Sequence, residues 1–251
     1  MPNCSVIVLN HNGSRWIERC LNSVFSSDFE NFEVLFVDNG SLDDSLDVAK
    51  KFKSKPNFRI LAFKANLGTA ARNKAVLLTD SPLVIFLDAD TRVHPNWLKQ
   101  LWELINEKPQ FGAAQSKIMD YYYKYETGNT GHYIDNLGII VPRVLQDDGE
   151  IFGGITAAMA FSHRALLSAG GFDEDFFLNF EDTDLCWRLR LAGYSVHSAS
   201  RSLVFHMGGS VTLTDRWKRG LGFYLMCRNR VCSILKNYSL SNLIRYLPIH
   251  I

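Results

Sequence analysis

The chain has 251 residues, 47% of them hydrophobic, which is enough to form one large core or two small ones. Its 27 basic and 26 acidic residues nearly cancel, so no global positive field points to a nucleic-acid partner. The five cysteines are odd in number and form no C-x-x-C pair, which favours reduced thiols over a disulfide framework or a zinc site.

Strand and helix patterns alternate along the first half of the chain. Four short apolar runs are typical of strands buried on both faces, at residues 5–9, 32–37, 58–63 and 83–87. Apolar residues at helical spacing follow the first two runs, with inward-facing positions at Ile17, Leu21, Val24, Phe25, Leu42, Leu46, Ala49 and Phe52. Ser41-x-x-Asp44 resembles a capping box for the second of these helices.

Two further helices complete this half. An alanine-rich helix is predicted to run to about Thr79, and Pro95 suits the first turn of a helix with Leu98, Leu101 and Ile105 facing inward. Strands separated by helices predict right-handed βαβ units, and therefore an α/β fold with a mostly parallel sheet.

The second half is less regular. Residues 119–149 are interpreted as loops or a small meander, and they include the tyrosines at 121, 122, 123 and 125. The predicted elements after this segment are a strand to 161, a helix at 162–168, a helix at 180–193, a strand ending at 206 and a long amphipathic helix at 215–236.

Three polar clusters, at residues 10–12, 38–41 and 88–90, follow predicted strands directly. Ligands of parallel α/β sheets bind beyond the carboxyl ends of the strands, so these clusters predict one shared crevice. Placing the carboxylates of Asp88 and Asp90 close together at a strand end costs free energy unless a cation neutralises them. A divalent cation that bridges carboxylates and phosphates would do so. A solvated turn that caps the next helix is the alternative reading of this pair.

Other polar residues fit the same crevice. Asp38 can accept hydrogen bonds from a nucleobase, and Arg72 near a helix start can contact phosphate, although a helix cap and a surface arginine are the ordinary readings. The cluster Glu181-Asp182-x-Asp184 offers a carboxylate general base, or simply a helix cap. His206 is either a third metal ligand or a core histidine.

Taken in order, these motifs resemble one known family. They are Val-Ile-Val-Leu-Asn-His-Asn12, Val-Asp-Asn-Gly-Ser41, Asn-Leu-Gly-x-Ala-Ala-Arg-Asn73, Phe-Leu-Asp-Ala-Asp90, Glu-Asp-x-Asp-Leu-x-x-Arg188 and His-x-Gly-Gly209. Over about residues 3–236 the chain resembles the family 2 inverting glycosyltransferases of GT-A fold, and among them the rhamnosyltransferase-type members. The resemblance implies a Rossmann-like central sheet flanked by helices, with a C-terminal amphipathic helix.

The resemblance also implies roles for individual residues. Asp182 would be the catalytic base, and Asp90 and His206, with Asp88, would hold Mg²⁺ or Mn²⁺. The substrate-binding residues would be Asn10, Asn12, Asp38, Asn66, Arg72, Asp88, Gly153, Gly154 and Glu181. The donor would be a dTDP-, UDP- or GDP-sugar and the acceptor a glycan, or a lipid-linked glycan if the basic C-terminal stretch lies on a membrane.

The domain organisation follows from the same resemblance. We expect a catalytic domain at 1–210, with a nucleotide-binding half at about 1–118 and an acceptor half at about 119–210. A C-terminal helical segment at 211–251 follows, with seven basic residues against one acid. It is read either as a solvated helix or as a peripheral contact with an anionic membrane through Arg228, Arg230 and Lys236.

No secretory signal pattern opens the chain and no apolar run is long enough to span a bilayer, so we expect a cytoplasmic protein or one at the cytoplasmic face of the membrane. Three rival functions stay open. A nucleotidyltransferase that forms nucleotide sugars would carry a glycine-rich basic loop after the first strand, where this chain has Asn10-His-Asn-Gly-Ser14. A glycosidase would use Asp90 and Asp182, and an inactive nucleotide- or sugar-binding module would lack transfer.

Overall fold

The computed structural model of the chain describes residues 2–122, 128–207 and 216–246. The strands within these ranges are β1 (Cys4–Asn10), β2 (Phe32–Asn39), β3 (Phe58–Phe63), β4 (Leu83–Asp88), β5 (Thr91–Val93), β6 (Phe111–Asp120), β7 (Gly131–Ile134), β8 (Ile140–Arg143), β9 (Ala158–Ser162) and β10 (Ser195–His206). The helices are α1 (Ser14–Phe25), α2 (Ser45–Lys50), α3 (Ala70–Val76), α4 (Trp97–Glu107), α5 (His163–Ser168), α6 (Glu181–Leu191), α7 (Arg216–Asn237) and α8 (Leu240–Tyr246).

Eight strands form one sheet in the order β3-β2-β1-β4-β9-β6-β10-β5. The first four strands are parallel, as are β6 and β10. Strand β9 runs antiparallel between β4 and β6, and β5 is antiparallel to β10. Strands β7 and β8 pair separately as a hairpin. The predicted α/β architecture with a mostly parallel central sheet is therefore confirmed.

Both faces of the sheet are covered by helices, because successive residues of its strands point to opposite sides. Val6 and Val8 of β1 join one core cluster with residues of α1 and α4, whereas Ile7 joins a second cluster with residues of α3, α5 and α6. This double burial explains why the strands are continuous apolar runs rather than alternating ones.

The register of β1 brings the polar strand ends together. Asn10 lies opposite Asp38 of β2, and Leu9 lies opposite Asp88 of β4. Since the chain leaves all three strands at the same edge, the side chains that follow them converge, as the sequence predicts.

The second helix differs from its prediction. It begins at Ser45 rather than after Ser41, and its N-cap residue Asp44 makes no side-chain capping hydrogen bond. Leu42, expected to face inward, is 95% exposed. The capping-box prediction is wrong because the Ser41 hydroxyl is hydrogen bonded elsewhere, accepting from the Asn10 side chain and the Asn12 amide at 3.0 and 2.9 Å.

Other departures are smaller. Helix α4 begins at Trp97, after Pro95 instead of around it, and β5 and β6 have no counterpart among the predicted strands. Part of the tyrosine-rich segment forms the β7-β8 hairpin, in agreement with a small meander. Tyr123 and Tyr125 lie outside the described residues. Among the residues that the structure describes, no helix is both long and apolar enough to cross a membrane.

Phe86 of β4 is a sensitive test of the second core cluster. It is fully buried, and its ring meets those of Phe161 and Phe172 edge-on at centroid distances of 5.7 and 5.2 Å. We expect Phe86→Ala to lower the free energy of unfolding by about 3–5 kcal/mol, because it leaves a cavity among these rings. Urea denaturation measures the loss. Leu77→Ala, at a residue 76% exposed, is the control and should change stability by less than about 0.5 kcal/mol.

Candidate active site

Asp88 and Asp90 occupy the turn that ends β4. The amide of Ala89 donates to the Leu9 carbonyl at 3.0 Å, and the Thr91 hydroxyl donates to the Asp88 carbonyl at 2.7 Å. The amide of Met207 donates to the Asp90 carbonyl at 2.8 Å, which places the end of β10 beside the turn. Backbone hydrogen bonds thus bring His206 next to an acidic pair more than a hundred residues earlier in the sequence.

The three side chains expected to bind metal lie together. Ligand atoms of Asp88, Asp90 and His206 are all within 4.8 Å of one another, and His206 Nε2 lies 3.1 Å from Asp90 Oδ1. Burial alone would lower the pKa of His206, but the hydrogen bond and charge of Asp90 raise it. Desolvation raises the pKa of Asp88, and the Asp90 carboxylate adds to this rise while Arg72 opposes it. Two carboxylates and an imidazole at this spacing fit a divalent cation.

Arg72 connects this cluster to α6. Its buried guanidinium lies 3.1 Å from Asp88 Oδ1 through Nη2 and 3.6 Å from Glu181 Oε1 through Nη1. Burial raises the pKa of Glu181 to about 8, and the charge of Asp182 adds to the rise while Arg72 opposes it. Within the described residues, Arg72 Nε and Glu181 Oε2 have no hydrogen-bond partner although both are buried. One donor, Arg72 Nε, and one oxygen, Glu181 Oε2, are therefore available to hydrogen bond a ligand in the crevice.

The predicted nucleotide-binding residues form a second, adjoining group. Asn10 Nδ2 donates to Asp38 Oδ1 at 3.1 Å, and the other carboxylate oxygen of Asp38 accepts from the Ser41 amide at 3.1 Å. Asn12, with a φ of 55°, accepts from the Leu42 amide at 2.7 Å. The structure therefore brings Asn10, Asn12 and Asp38 into one hydrogen-bonded cluster.

Asn66 belongs to a loop held by Asn39. The Asn39 amide nitrogen donates to Asn66 Oδ1 at 3.0 Å and to the Gly68 carbonyl at 3.1 Å, and its oxygen accepts from the Leu67 amide at 2.8 Å. Asn39 lies within the motif Val-Asp-Asn-Gly-Ser41, and no role for it is predicted from the sequence. The burial and three bonds of this side chain are tertiary features without a sequence pattern.

Asp182 lies half-buried at the start of α6. Its Oδ1 accepts from the Thr183 amide at 2.7 Å, and its Oδ2 accepts from the Thr156 amide at 3.3 Å. The Thr183 hydroxyl lies 3.1 Å from Nε2 of the buried His132. These contacts orient the carboxylate, and His132 is a neighbour that sequence reasoning missed.

Gly153 and Gly154 lie close to this end of α6. A side chain at Gly153 would come within 2.8 Å of His132 Nε2, and one at Gly154 within 2.8 Å of Gln115. Close packing thus accounts for both glycines, and their predicted contact with substrate stays a prediction.

Asp184, two residues after Asp182, has a structural position. It is fully buried, and its carboxylate accepts from side chains of α6 and α7, namely Arg188 at 2.8 Å, Asn237 at 3.0 Å, Ser233 at 3.1 Å and Lys236 at 3.2 Å. The third acid of the motif therefore joins the C-terminal helix to α6.

The basic side chains of α7 are engaged within the chain. Arg228 donates to the Asp175 carbonyl at 2.6 Å, Arg230 to the Leu137 carbonyl at 3.4 Å, and Lys236 to Asp173 at 2.5 Å. Membrane contact through this helix stays a prediction; Lys236 is paired with Asp173 and Asp184, whereas the carbonyl partners of Arg228 and Arg230 leave their charges unneutralised. Gly208 and Gly209 of the last motif lie outside the described residues.

The segment before α6 is strained. Phe177, Asn179 and Phe180 have φ values of 59°, 66° and 69°, in the left-handed region that side chains disfavour. Such residues cost about 1–3 kcal/mol each and persist only where their surroundings hold them. Gly68 packs directly on this segment, since a Cβ there would lie 2.3 Å from the Phe177 carbonyl oxygen.

Comparison with known proteins places this geometry in a family. Residues 5–174 match the family described as glycosyl transferase family 2. Glycosyltransferase AglE of Haloferax volcanii is 36% identical over 104 residues, which cover 40% of this chain and 34% of the relative. The chain spans between 19% and 34% of the length of three such curated relatives.

Solved structures show the same fold at low identity. The crystal structure of Staphylococcus aureus TarS 1–349 has a TM-score of 0.66 at 21% identity, covering 95% of this chain and 67% of the other. The same protein has been solved in complex with UDP. The crystal structure of GalNAc-T7 with UDP, GalNAc and Mn²⁺ has a TM-score of 0.73 at 14% identity, and the match covers 93% of this chain and 48% of the other. Together, the sheet topology, these likenesses and the match over 5–174 show that the chain is a GT-A-type domain belonging to glycosyl transferase family 2.

Proposed function

We propose that this domain transfers a sugar, with inversion, from a nucleoside-diphosphate sugar to a hydroxyl acceptor. The observation that carries the proposal is the linkage of two acidic groups by one buried cation. Arg72 contacts both Asp88 of the metal-type cluster and Glu181, the residue next to Asp182. This linkage supports a site for the leaving diphosphate and a carboxylate for the acceptor at one end of the sheet.

The residues at the end of β4 are suited to a divalent cation, Mg²⁺ or Mn²⁺. Asp90 and His206 would hold it directly, and Asp88 would share it with the donor diphosphate. When bound, such an ion neutralises the negative charge that develops on the departing diphosphate. The structural neighbour GalNAc-T7 was solved with UDP, GalNAc and Mn²⁺, which supports this assignment.

A UDP-sugar is the donor that the comparisons favour, because two structural neighbours were solved with UDP. Asp38, Asn10, Asn12, Asn66 and Arg72 would line the nucleotide pocket. dTDP- and GDP-sugars are the alternative donors, and rhamnose transfer is the alternative for the sugar. A glycan or lipid-linked glycan is the proposed acceptor, reached in the cytoplasm or at the cytoplasmic face of the membrane.

Asp182 is the proposed general base. The acceptor hydroxyl passes its proton to the carboxylate as its oxygen forms a bond to the anomeric carbon. The bond from that carbon to the diphosphate oxygen breaks, and its electron pair leaves with the nucleoside diphosphate. The amides of Thr156 and Thr183 orient the carboxylate for this step.

Replacing the base tests this assignment. We expect Asp182→Asn to lower the rate of sugar transfer by about 10²- to 10⁴-fold, because the amide cannot accept the acceptor proton. Nucleotide binding, followed as the rise in melting temperature with a UDP-sugar and Mn²⁺, should be retained. Asp80→Asn, at an exposed acid before β4, is the matched control and should leave transfer unchanged. Near-normal transfer by Asp182→Asn would refute the base assignment.

The metal cluster is tested without relying on turnover. We expect Asp90→Asn and His206→Ala each to raise the Mn²⁺ concentration needed for nucleotide-induced stabilisation by at least about tenfold. Thermal shift with UDP-, GDP- and dTDP-sugars over a Mn²⁺ titration provides the measurement and identifies the donor. His94→Ala, at an exposed histidine, is the control. Equal Mn²⁺ requirements in wild type and both cluster variants would contradict the proposed metal site.

Product analysis separates the rival functions. Mass spectrometry of a reaction with a nucleotide sugar and candidate acceptors should detect a new glycoside and a released nucleoside diphosphate. Release of pyrophosphate from a nucleoside triphosphate and a sugar phosphate would favour a nucleotidyltransferase. Cleavage of a glycoside would favour a glycosidase, and nucleotide binding without any product would favour an inactive module.

A further inference from the structure

Asn229 of α7 is buried against the strained segment that precedes α6. Its side chain has no exposed surface, and its amide nitrogen lies 2.9, 2.9 and 2.6 Å from the carbonyl oxygens of Phe176, Leu178 and Asn179. Arg228 Nε donates to Asn229 Oδ1 at 2.9 Å, which fixes the orientation of the amide. One side chain therefore satisfies three convergent carbonyls with two N–H groups.

The conformation of that segment sets the position of Asp182. Phe180, with a φ of 69°, is the residue from which α6 starts, and Asp182 is in the first turn of the helix. A change in the left-handed residues would redirect this first turn. The carbonyls that Asn229 holds belong to residues inside the same segment, so its hydrogen bonds act directly on the strained backbone.

Two further contacts extend this arrangement toward the donor side. The Thr69 amide donates to the Phe177 carbonyl at 2.8 Å, and Asn179 Nδ2 donates to the Gly222 carbonyl of α7 at 2.9 Å. The segment is thus held between the loop that contains Asn66 and the C-terminal helix. Asn229 lies at the centre of the contacts on the helix side.

We propose that Asn229 is a positioning residue for the general base, holding residues 176–180 in the one conformation that aims Asp182 at the acceptor. The proposal rests on the assignment of Asp182 as base. Loss of the amide would remove a donor from the carbonyls of Phe176, Leu178 and Asn179, of which only Phe176 keeps a backbone donor, the Leu178 amide, among the described contacts, and the strained residues would relax. A displacement of a catalytic group by about 1 Å can cost about 100-fold in rate, although Asn229 itself contacts no substrate.

The test compares two asparagines of the same helix. Asn229→Ala should lower kcat per folded molecule by about 100-fold, while the UDP-sugar and Mn²⁺ still raise the melting temperature. Asn237→Ala is the matched control, because Asn237 is also buried but its side chain donates to Asp184 of α6 at 3.0 Å rather than to the segment 176–180. It should lower the melting temperature without lowering kcat per folded molecule.

A milder variant keeps the test decisive if Asn229→Ala does not fold. Asn229→Ser retains one hydrogen-bond donor and leaves a smaller cavity than Asn229→Ala does. Its kcat should lie between that of the wild type and that of the Asp182→Asn variant. Hydrogen exchange at the amides of 176–182 should be faster in Asn229→Ser than in Asn237→Ala, since the segment has lost part of its support.

The outcomes distinguish this inference from the proposed function. Equal kcat per folded molecule in wild type, Asn237→Ala and the Asn229 variants would overturn the positioning role, even if Asp182→Asn is inactive. Full transfer by Asp182→Asn would instead refute the base assignment on which the inference rests. A kcat loss confined to the Asn229 variants, with nucleotide binding retained, is the supporting result.

Discussion

The buried guanidinium of Arg72 is the interaction on which the site depends. It lies between Asp88 at the end of β4 and Glu181 at the start of α6, two residues that the sequence separates widely. Burying a charge is costly unless it is paired, and Asp88 is the nearer partner of the guanidinium at 3.1 Å, with Glu181 at 3.6 Å. A single cation thereby links the end of β4 to the start of α6.

The parallel part of the sheet was predictable because its strands are buried on both faces and must be continuous apolar runs. Strand β6 is equally buried but contains Gln115 and Ser116, whose side chains are satisfied by Asn129 and Ser202. A polar residue can be buried when residues distant in sequence supply its hydrogen-bond partners, and no local sequence pattern predicts those partners. The same limit applies to Ser41, which reads locally as a cap and acts instead between two loops.

Convergence of the polar clusters followed from sequence, since parallel strands that start in register end at one edge. The different environments of the acids in the motif Glu181-Asp182-x-Asp184 could not be predicted from the sequence. Asp182 and Asp184 are two positions apart on a helix and so point in different directions. Asp182 accepts from the Thr156 and Thr183 amides, whereas Asp184 faces α7, a helix that begins more than thirty residues later. His132 and Asn229 were missed for the same reason, because both act through tertiary contacts.

The strained segment before α6 also bears on where this domain can be cut. Its three left-handed residues are supported by α7, and the fully buried Asp184 takes three of its four partners from that helix. A boundary near residue 210 would remove Asn229, Ser233, Lys236 and Asn237 together and open the back of α6 to water. The smallest fragment worth expressing therefore extends through Asn237, and any fusion or graft of this domain should carry the helix with it.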